Sequence, residues 1–170
     1  MTLAPSVRKS PIRPAAVLLG LFAVCYGVAA LGAFITAPSL STWYATLAKP
    51  NFTPPDWLFA PIWTALYGLM AIAAWLVWRT PKYGSDAESR RSGLILFAVQ
   101  LSLNALWTLV FFQFHQVLIG FVIVLCLWTA IFFITLNFWN VERFAAGLMI
   151  SYLLWMTYVT ALNFEIYRLN

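Results

Sequence analysis

The sequence predicts an all-α membrane protein: a five-transmembrane-helix bundle with a Pro/Trp-rich lid loop between the first and second helices. Three observations carry this expectation. The 170-residue chain is 63% hydrophobic and only 9% charged, against about 25% charged in soluble domains, and its mean hydropathy is +0.85. Its apolar residues fall into five runs, each near the roughly 20 residues that cross a bilayer as a helix. One stretch, Trp43 to Trp63, breaks the pattern with four prolines in twelve residues (Pro50, Pro54, Pro55, Pro61). Each proline removes a backbone donor and fixes φ, and each pushes the preceding residue out of the α region. The same stretch is rich in aromatics, which a solvated linker avoids. A segment both stiff and aromatic packs on something, so it reads as a lid.

Residues 1–13 form a basic tail with Arg8, Lys9 and Arg13. They resemble a secretory n-region. The apolar run that follows, 15–37, exceeds the roughly 7–15 residues of a signal h-region, so it reads as a retained first helix. Pro14 suits its first turn, and Pro38 is expected to end it. The lid covers 38–57, with Trp43, Lys49, Pro50, Pro54, Pro55 and Trp57 as its defining residues. The second span is expected over 58–78, with Pro61 in its first turn, where a missing N–H costs least. Residues 79–92 read as a polar loop. The third span is expected over 93–114 and the fourth over 117–138. Only His115-Gln116 separates these two, so they form a tight antiparallel hairpin. After a short turn at 140–143 the fifth span runs over 144–167. Residues 14–170 make one domain. No internal repeat, low-complexity segment or soluble domain is present.

Five spans put the lid on the side opposite the N-terminal tail. Eight of the ten basic residues then share the tail side: Arg8, Lys9, Arg13, Arg79, Lys82, Arg90, Arg91 and Arg143. Lys49 and Arg168 lie on the lid side. The positive-inside rule makes the tail side, and the N-terminus, cytoplasmic. This also accounts for the net charge of +5 without nucleic acid.

Polar side chains are expensive in hydrocarbon and usually face a bundle interior or cavity. Gln100 and Asn104 share one face of the third span, continued by Trp107 and Phe111. Trp155, Val159 and Asn163 form a row on the fifth, with Tyr152 close by. Trp63 and Tyr67 form a row on the second. All three rows open toward the lid. Their convergence predicts a mostly apolar cavity lined by Trp63, Asn104, Trp107 and Trp155, with few polar anchors. Its aromatic planes suit a flat conjugated guest. Each of these residues, taken alone, fits core packing or a helix-to-helix hydrogen bond as well. Trp57, Trp78 and Trp139 read as interfacial belt residues, and Trp75 and Trp128 as packing. His115 reads as a solvated turn residue. Glu165 and Arg168 read as an interfacial pair. Cys25 and Cys126 fall mid-span and read as small buried hydrophobes. The sequence holds no nucleotide loop, no paired intramembrane carboxylates and no His/Cys cluster for a metal. A proton-coupled pump needs an ionisable group near the midplane, and none is in place here.

Several motifs resemble a known family. Trp43-Tyr44, Lys49-Pro50, Pro54-Pro55, Trp57, Pro61 and Trp63 resemble the signature of the translocator protein family (TspO/MBR), also called tryptophan-rich sensory proteins or peripheral benzodiazepine receptors. Gln100-Leu101 with Asn104-Ala105-Leu106-Trp107 resembles its third-helix motif. Tyr152-Leu153-Leu154-Trp155 with Leu162-Asn163-Phe164 resembles its fifth-helix motif. The resemblance covers residues 14–170. It implies a homodimeric five-helix bundle that binds porphyrins such as protoporphyrin IX, and synthetic isoquinoline carboxamides, in a pocket between the first loop and helices one, two, three and five. It implies no tightly bound cofactor; the porphyrin is a ligand. By position, Tyr44, Trp63, Asn104 and Trp155 match family ligand-contacting residues, and Trp63 and Trp155 match indoles linked to light-dependent porphyrin breakdown. The expected function is tetrapyrrole binding as sensor, carrier or scavenger. A light-dependent porphyrin-degrading enzyme and a passive small-molecule or sterol translocator are the alternatives. The sterol motif of animal members is not matched, because Phe164 stands for a phenol and Tyr167 adjoins Arg168 without a spacer. For the dimer, Ala98, Ser102 and Ala105 form a small-residue row about 200° from Gln100, Asn104 and Trp107. Ala16, Gly20, Ala23 and Gly27 on the first helix form a rival row.

Overall fold

A computed structural model describes residues 14–80 and 85–170, with only the backbone at residues 85 and 86. The expected tail at 1–13 and residues 81–84, with the basic residues Arg8, Lys9, Arg13 and Lys82, lie outside the described residues. Helices α1 (Pro14–Leu40), α3 (Asp56–Arg79), α4 (Ser85–Thr108), α5 (Val117–Val141) and α6 (Arg143–Leu169) build the molecule, with a one-turn helix α2 (Trp43–Thr46) in the lid. The five long helices each have the length and apolarity to cross a membrane, so the chain is an integral multi-pass membrane protein. Its outer faces carry exposed Leu19, Phe34, Phe133 and Leu154. In water such a surface would collapse; in a bilayer it is the solvated one.

The helices close on one another in the order α1–α3–α6–α5–α4 and back to α1. The polar rows meet inside this ring. The core holds fully buried Met70, Ile131, Phe138, Met149 and Tyr152.

Three boundaries differ from the sequence expectation. Pro38 does not end α1, which continues to Leu40. Near a helix end a proline forfeits little, because the remaining carbonyls find other donors. The Thr42 hydroxyl donates to Pro38 O at 2.8 Å, and buried Ser39 donates to Phe112 O at 2.6 Å, pinning the end of α1 to α4. Helix α4 starts at Ser85, well before the expected Gly93. Hydropathy marks where a helix enters the bilayer, not where it begins, and residues 85–92 extend it into the polar zone. There Arg90 Nε donates to Trp78 O at 2.8 Å and satisfies a terminal carbonyl of α3. The α4 rod then ends in a π-helical turn, Leu109–Gln113. Such turns are rare and often sit at functional sites. Between α5 and α6 the only break is Glu142, whose carboxylate accepts from Ala145 N at 2.6 Å and caps α6.

Candidate functional site

A cavity of about 360 Å³ lies between α1, α3, α4, α6 and the lid, near the low end of the ~300–1,000 Å³ usual for ligand pockets. Helix α5 contributes nothing to it. Of the residues singled out in the sequence, Tyr44, Trp63, Tyr67, Asn104, Trp107 and Val159 all border this cavity. Trp155 does not.

Trp63 is the centre of the aromatic wall. Its ring lies 5.8 Å from Tyr67, 6.2 Å from Trp107 at an interplanar angle of 30°, and 6.3 Å from Tyr152 edge-on. Trp107 in turn stacks on Phe111 at 6.1 Å. The π turn brings Phe111 and Phe112 to the cavity together. Two adjacent residues on a regular helix are about 100° apart, so the wider turn is what lets this wall curve round to meet the lid.

Below the wall, a directional hydrogen-bond chain crosses three helices. Tyr67 Oη donates to Asn104 Oδ1 at 2.7 Å, and Asn104 Nδ2 donates to Tyr152 Oη at 2.9 Å. Tyr152 Oη donates to Gln100 Oε1 at 3.3 Å, and Gln100 Nε2 reaches Met70 Sδ at 3.6 Å. Trp107 Nε1 donates to Asn163 Oδ1 at 3.2 Å, while Asn163 Nδ2 is held by Val159 O. Buried polar groups are costly unless paired, and these are paired with one another. Asn104 and Asn163 therefore combine two roles, tying helices together and presenting the few polar atoms on an otherwise apolar wall.

The lid is tied down from two directions. On one side Trp43 stacks on His115 at 4.3 Å and meets Phe111 edge-on at 5.4 Å. His115, expected to be merely solvated, is exposed but carries this stack, and its backbone is left-handed with φ 56°. On the other side the chain after α2 runs along α6. Ala48 N donates to Asn170 Oδ1 and Asn170 Nδ2 donates to Ala48 O, both at 3.0 Å. Tyr158 Oη donates to Phe52 O at 2.6 Å. Lys49 Nζ sits 4.5 Å over the Tyr44 ring. Buried Tyr44 roofs the cavity. Its burial, with smaller effects of the Asp56 carboxylate and Tyr158, pushes its phenol up to about 12, so it is neutral and a hydrogen-bond donor at any physiological pH. Pro50 and Pro54 are half-buried, and Pro55 immediately precedes α3.

Trp155 is half-buried beside this site, edge-on to Phe59 at 6.0 Å and 5.4 Å from Tyr158. Trp57 and Trp139 are 72% and 50% exposed, as belt residues would be. Trp128 Nε1 donates to Thr157, and Trp75 Nε1 donates to Pro14 O. Cys25 is buried, but Cys126 is exposed on the outer face of α5 rather than packed as expected. Arg168 and Glu165 form a 2.9 Å ion pair. Among the described residues no three His, Cys, Asp or Glu side chains come together as a metal site.

Residue-level reading missed several cavity residues. Gly32, Ala33, Thr36 and Ala37 of α1 line the cavity with small side chains. Their small size at helical spacing was the available signal. Asp56, which the sequence assigned to the lid, and Phe59, at the start of the expected second span, also border the cavity.

The family model for the TspO/MBR family matches residues 21–168. The chain is similar to the protein CrtK of Rhodobacter capsulatus, 37% identical over 153 residues covering 89% of this chain and 94% of that protein. It is 39% identical to a tryptophan-rich protein TspO of Archaeoglobus fulgidus, over 82% of this chain and 87% of that one. It is 35% identical to the human translocator protein, over 75% of each chain.

Proposed function

The chain belongs to the TspO/MBR family, and from that premise we propose that it binds a tetrapyrrole of the protoporphyrin IX type in the lidded cavity, acting as a sensor, carrier or scavenger. The observation that carries this reading is the aromatic wall formed by Trp63, Trp107 and Phe111, whose successive rings are inclined at 30° and 25°. A planar conjugated ligand can stack on such a wall. The part of α1 that lines the cavity contributes small residues, which leaves room beside the rings. The name of one relative, translocator protein, accords with a carrier role. Of the two indoles linked by resemblance to light-driven breakdown, only Trp63 borders the cavity, which favours binding over photochemistry as the primary activity.

The test is titration of purified protein with protoporphyrin IX, read by quenching of tryptophan fluorescence. Trp63→Phe is expected to weaken binding by roughly fivefold, the equivalent of about 1 kcal/mol for a lost stacking contact. Trp139→Phe, on the outer surface, is expected to leave it unchanged. Equal effects from the two changes would remove the cavity from the explanation.

A further inference from the structure

A second groove opens on the outer surface of α4, at the end of the molecule away from the lid. Among the described residues it is lined by Ala87, Arg90, Arg91, Leu94, Ile95 and Ala98, and its volume is about 670 Å³. None of these residues borders the lidded cavity. The six recur at three- and four-residue spacing, so they form one stripe along the helix. The stripe changes character along its length. Two arginines hold one end, just before the start of the expected third span at Gly93, and small or aliphatic side chains hold the other. From Arg91 to Ala98 the helix rises about 10 Å, within the roughly 15 Å of hydrocarbon in one leaflet.

The two arginines are held differently. Arg90 is only 8% exposed, and its Nε donates to Trp78 O at 2.8 Å, which fixes the guanidinium beside the groove. Arg91 is exposed. Among the described residues neither pairs with a carboxylate; the single ion pair there is Arg168 with Glu165. A cation withdrawn from water is costly unless an anion and good hydrogen bonds offset it. The anion that a bilayer supplies at this depth is a headgroup phosphate, whose paired oxygens match the donor fork of a guanidinium. A zwitterionic lipid brings its own cation to the same place, whereas an anionic lipid does not, so a basic groove discriminates between them.

We propose that this groove is a binding site for an anionic phospholipid. Arg90 and Arg91 hold the headgroup phosphate, and one acyl chain lies along Leu94, Ile95 and Ala98. Ile95 is 55% exposed, and Ala98 is exposed beside it, so the apolar end of the groove is open to such a chain. Because the groove and the lidded cavity share no residue, the lipid and a cavity ligand can be bound together, and the site does not depend on what the cavity holds.

The full chain, purified in a neutral detergent, is offered equal amounts of phosphatidylglycerol and phosphatidylcholine with the same acyl chains, and bound lipid is read by native mass spectrometry. Phosphatidylglycerol should be retained in preference, by roughly tenfold. Arg91→Gln, at an exposed position that spares the fold, should cut that preference by roughly fivefold. Arg91→Lys, which keeps the charge and loses the fork, should fall between the two. Arg143→Gln, an exposed arginine at the same end but outside the groove, should change nothing. Ala98→Trp, which fills the apolar end and alters no charge, should also weaken retention of phosphatidylglycerol. The absence of any preference overturns the proposal. Equal losses from Arg91→Gln and Arg143→Gln overturn it in favour of a diffuse basic surface. Competition by inorganic phosphate, with no effect of Ala98→Trp, overturns it in favour of a bare phosphate contact. The same spectra report oligomeric state: a groove variant that changes the dimer fraction and not the retained lipid gives the groove to a second copy of the chain.

Discussion

The side-chain amide of Asn104 donates to the hydroxyl of Tyr152 at 2.9 Å, joining α4 to α6 at the floor of the cavity. The same amide accepts from Tyr67 on α3 at 2.7 Å. One residue thus fixes the spacing of three helices and the depth of the chamber between them. Replacing Asn104 by Ala would leave the Tyr67 hydroxyl without an acceptor and take a donor from Tyr152. Individual interhelical hydrogen bonds in membranes average only about 0.6 kcal/mol. Orphaned buried groups cost more, about 1–3 kcal/mol, and here two partners are affected. Asn104→Ala is therefore expected to lower stability by about 1–3 kcal/mol, measured by reversible unfolding in mixed detergent. A loss under about 0.5 kcal/mol would show that apolar packing, not this chain of hydrogen bonds, holds the floor.

The lid makes a second prediction, about rates. Asn170 and Tyr158 tie the backbone at Ala48 and Phe52 to α6 through three hydrogen bonds. These bonds stabilise the closed lid without touching the cavity lining. Losing one should raise the open fraction by roughly fivefold, the equivalent of about 1 kcal/mol; Tyr158→Phe loses one and Asn170→Ala two. Asn170→Ala and Tyr158→Phe are each expected to speed porphyrin association and dissociation by similar factors, leaving Kd nearly unchanged, as gating changes do. Stopped-flow measurement of both rates checks this. A change in dissociation alone would mean that these residues contact the ligand.

Orientation is the third. Among the described residues, Arg79, Arg90, Arg91 and Arg143 lie at the helix ends away from the lid, whereas only Lys49 and Arg168 share its side. The lid is expected to face away from the cytoplasm. Thr46→Cys in α2 and Asn140→Cys at the α5–α6 turn are both exposed positions at opposite ends of the molecule. In intact cells carrying Cys126→Ser as background, an impermeant maleimide should label position 46 and spare position 140. The reverse pattern would invert the topology.

How far the sequence reaches is clearest at particular residues. The five helices and the convergence of Trp63, Asn104, Trp107 and Val159 were legible because polar and aromatic residues recur at helical spacing inside apolar runs. The start of α4 at Ser85 was not, since hydropathy reports the bilayer boundary and residues 85–92 are mostly polar. The π turn at Leu109–Gln113 was not, because a slip from i−4 to i−5 bonding leaves no composition signal. Trp155 shares a face with Val159 and Asn163, as its spacing says. Spacing cannot say that the ring of Phe59 from another helix packs edge-on against it. That is settled by which side chains fit together.

The last prediction concerns association of two copies. On α4, Ala98 and Ser102 are exposed and Ala105 is half-buried. The Ser102 hydroxyl donates to Ala98 O at 3.1 Å, so this row presents no unmet polar group to lipid. The rival row on α1 is not packed inside the protomer either: Ala16, Gly20, Ala23 and Gly27 are all exposed, and a Cβ at Gly20 or Gly27 would meet nothing within 4 Å. Both rows could admit a close partner backbone, which is how helices associate where apolar burial gives no drive. They differ in what else their helices do. α1 supplies the small-residue wall of the cavity and carries the chain into the lid, so a partner fixed on it would restrain the moving parts. The α4 row lies across its helix from Asn104 and Trp107, and leaves cavity and lid free. The dimer is therefore expected on α4. Ser102→Leu, an exposed position whose change spares the protomer core, should reduce dimer affinity by roughly tenfold, about 1.4 kcal/mol, and Gly20→Leu should not. Energy transfer between differently labelled copies in vesicles measures both. A loss confined to Gly20→Leu would move the interface to α1.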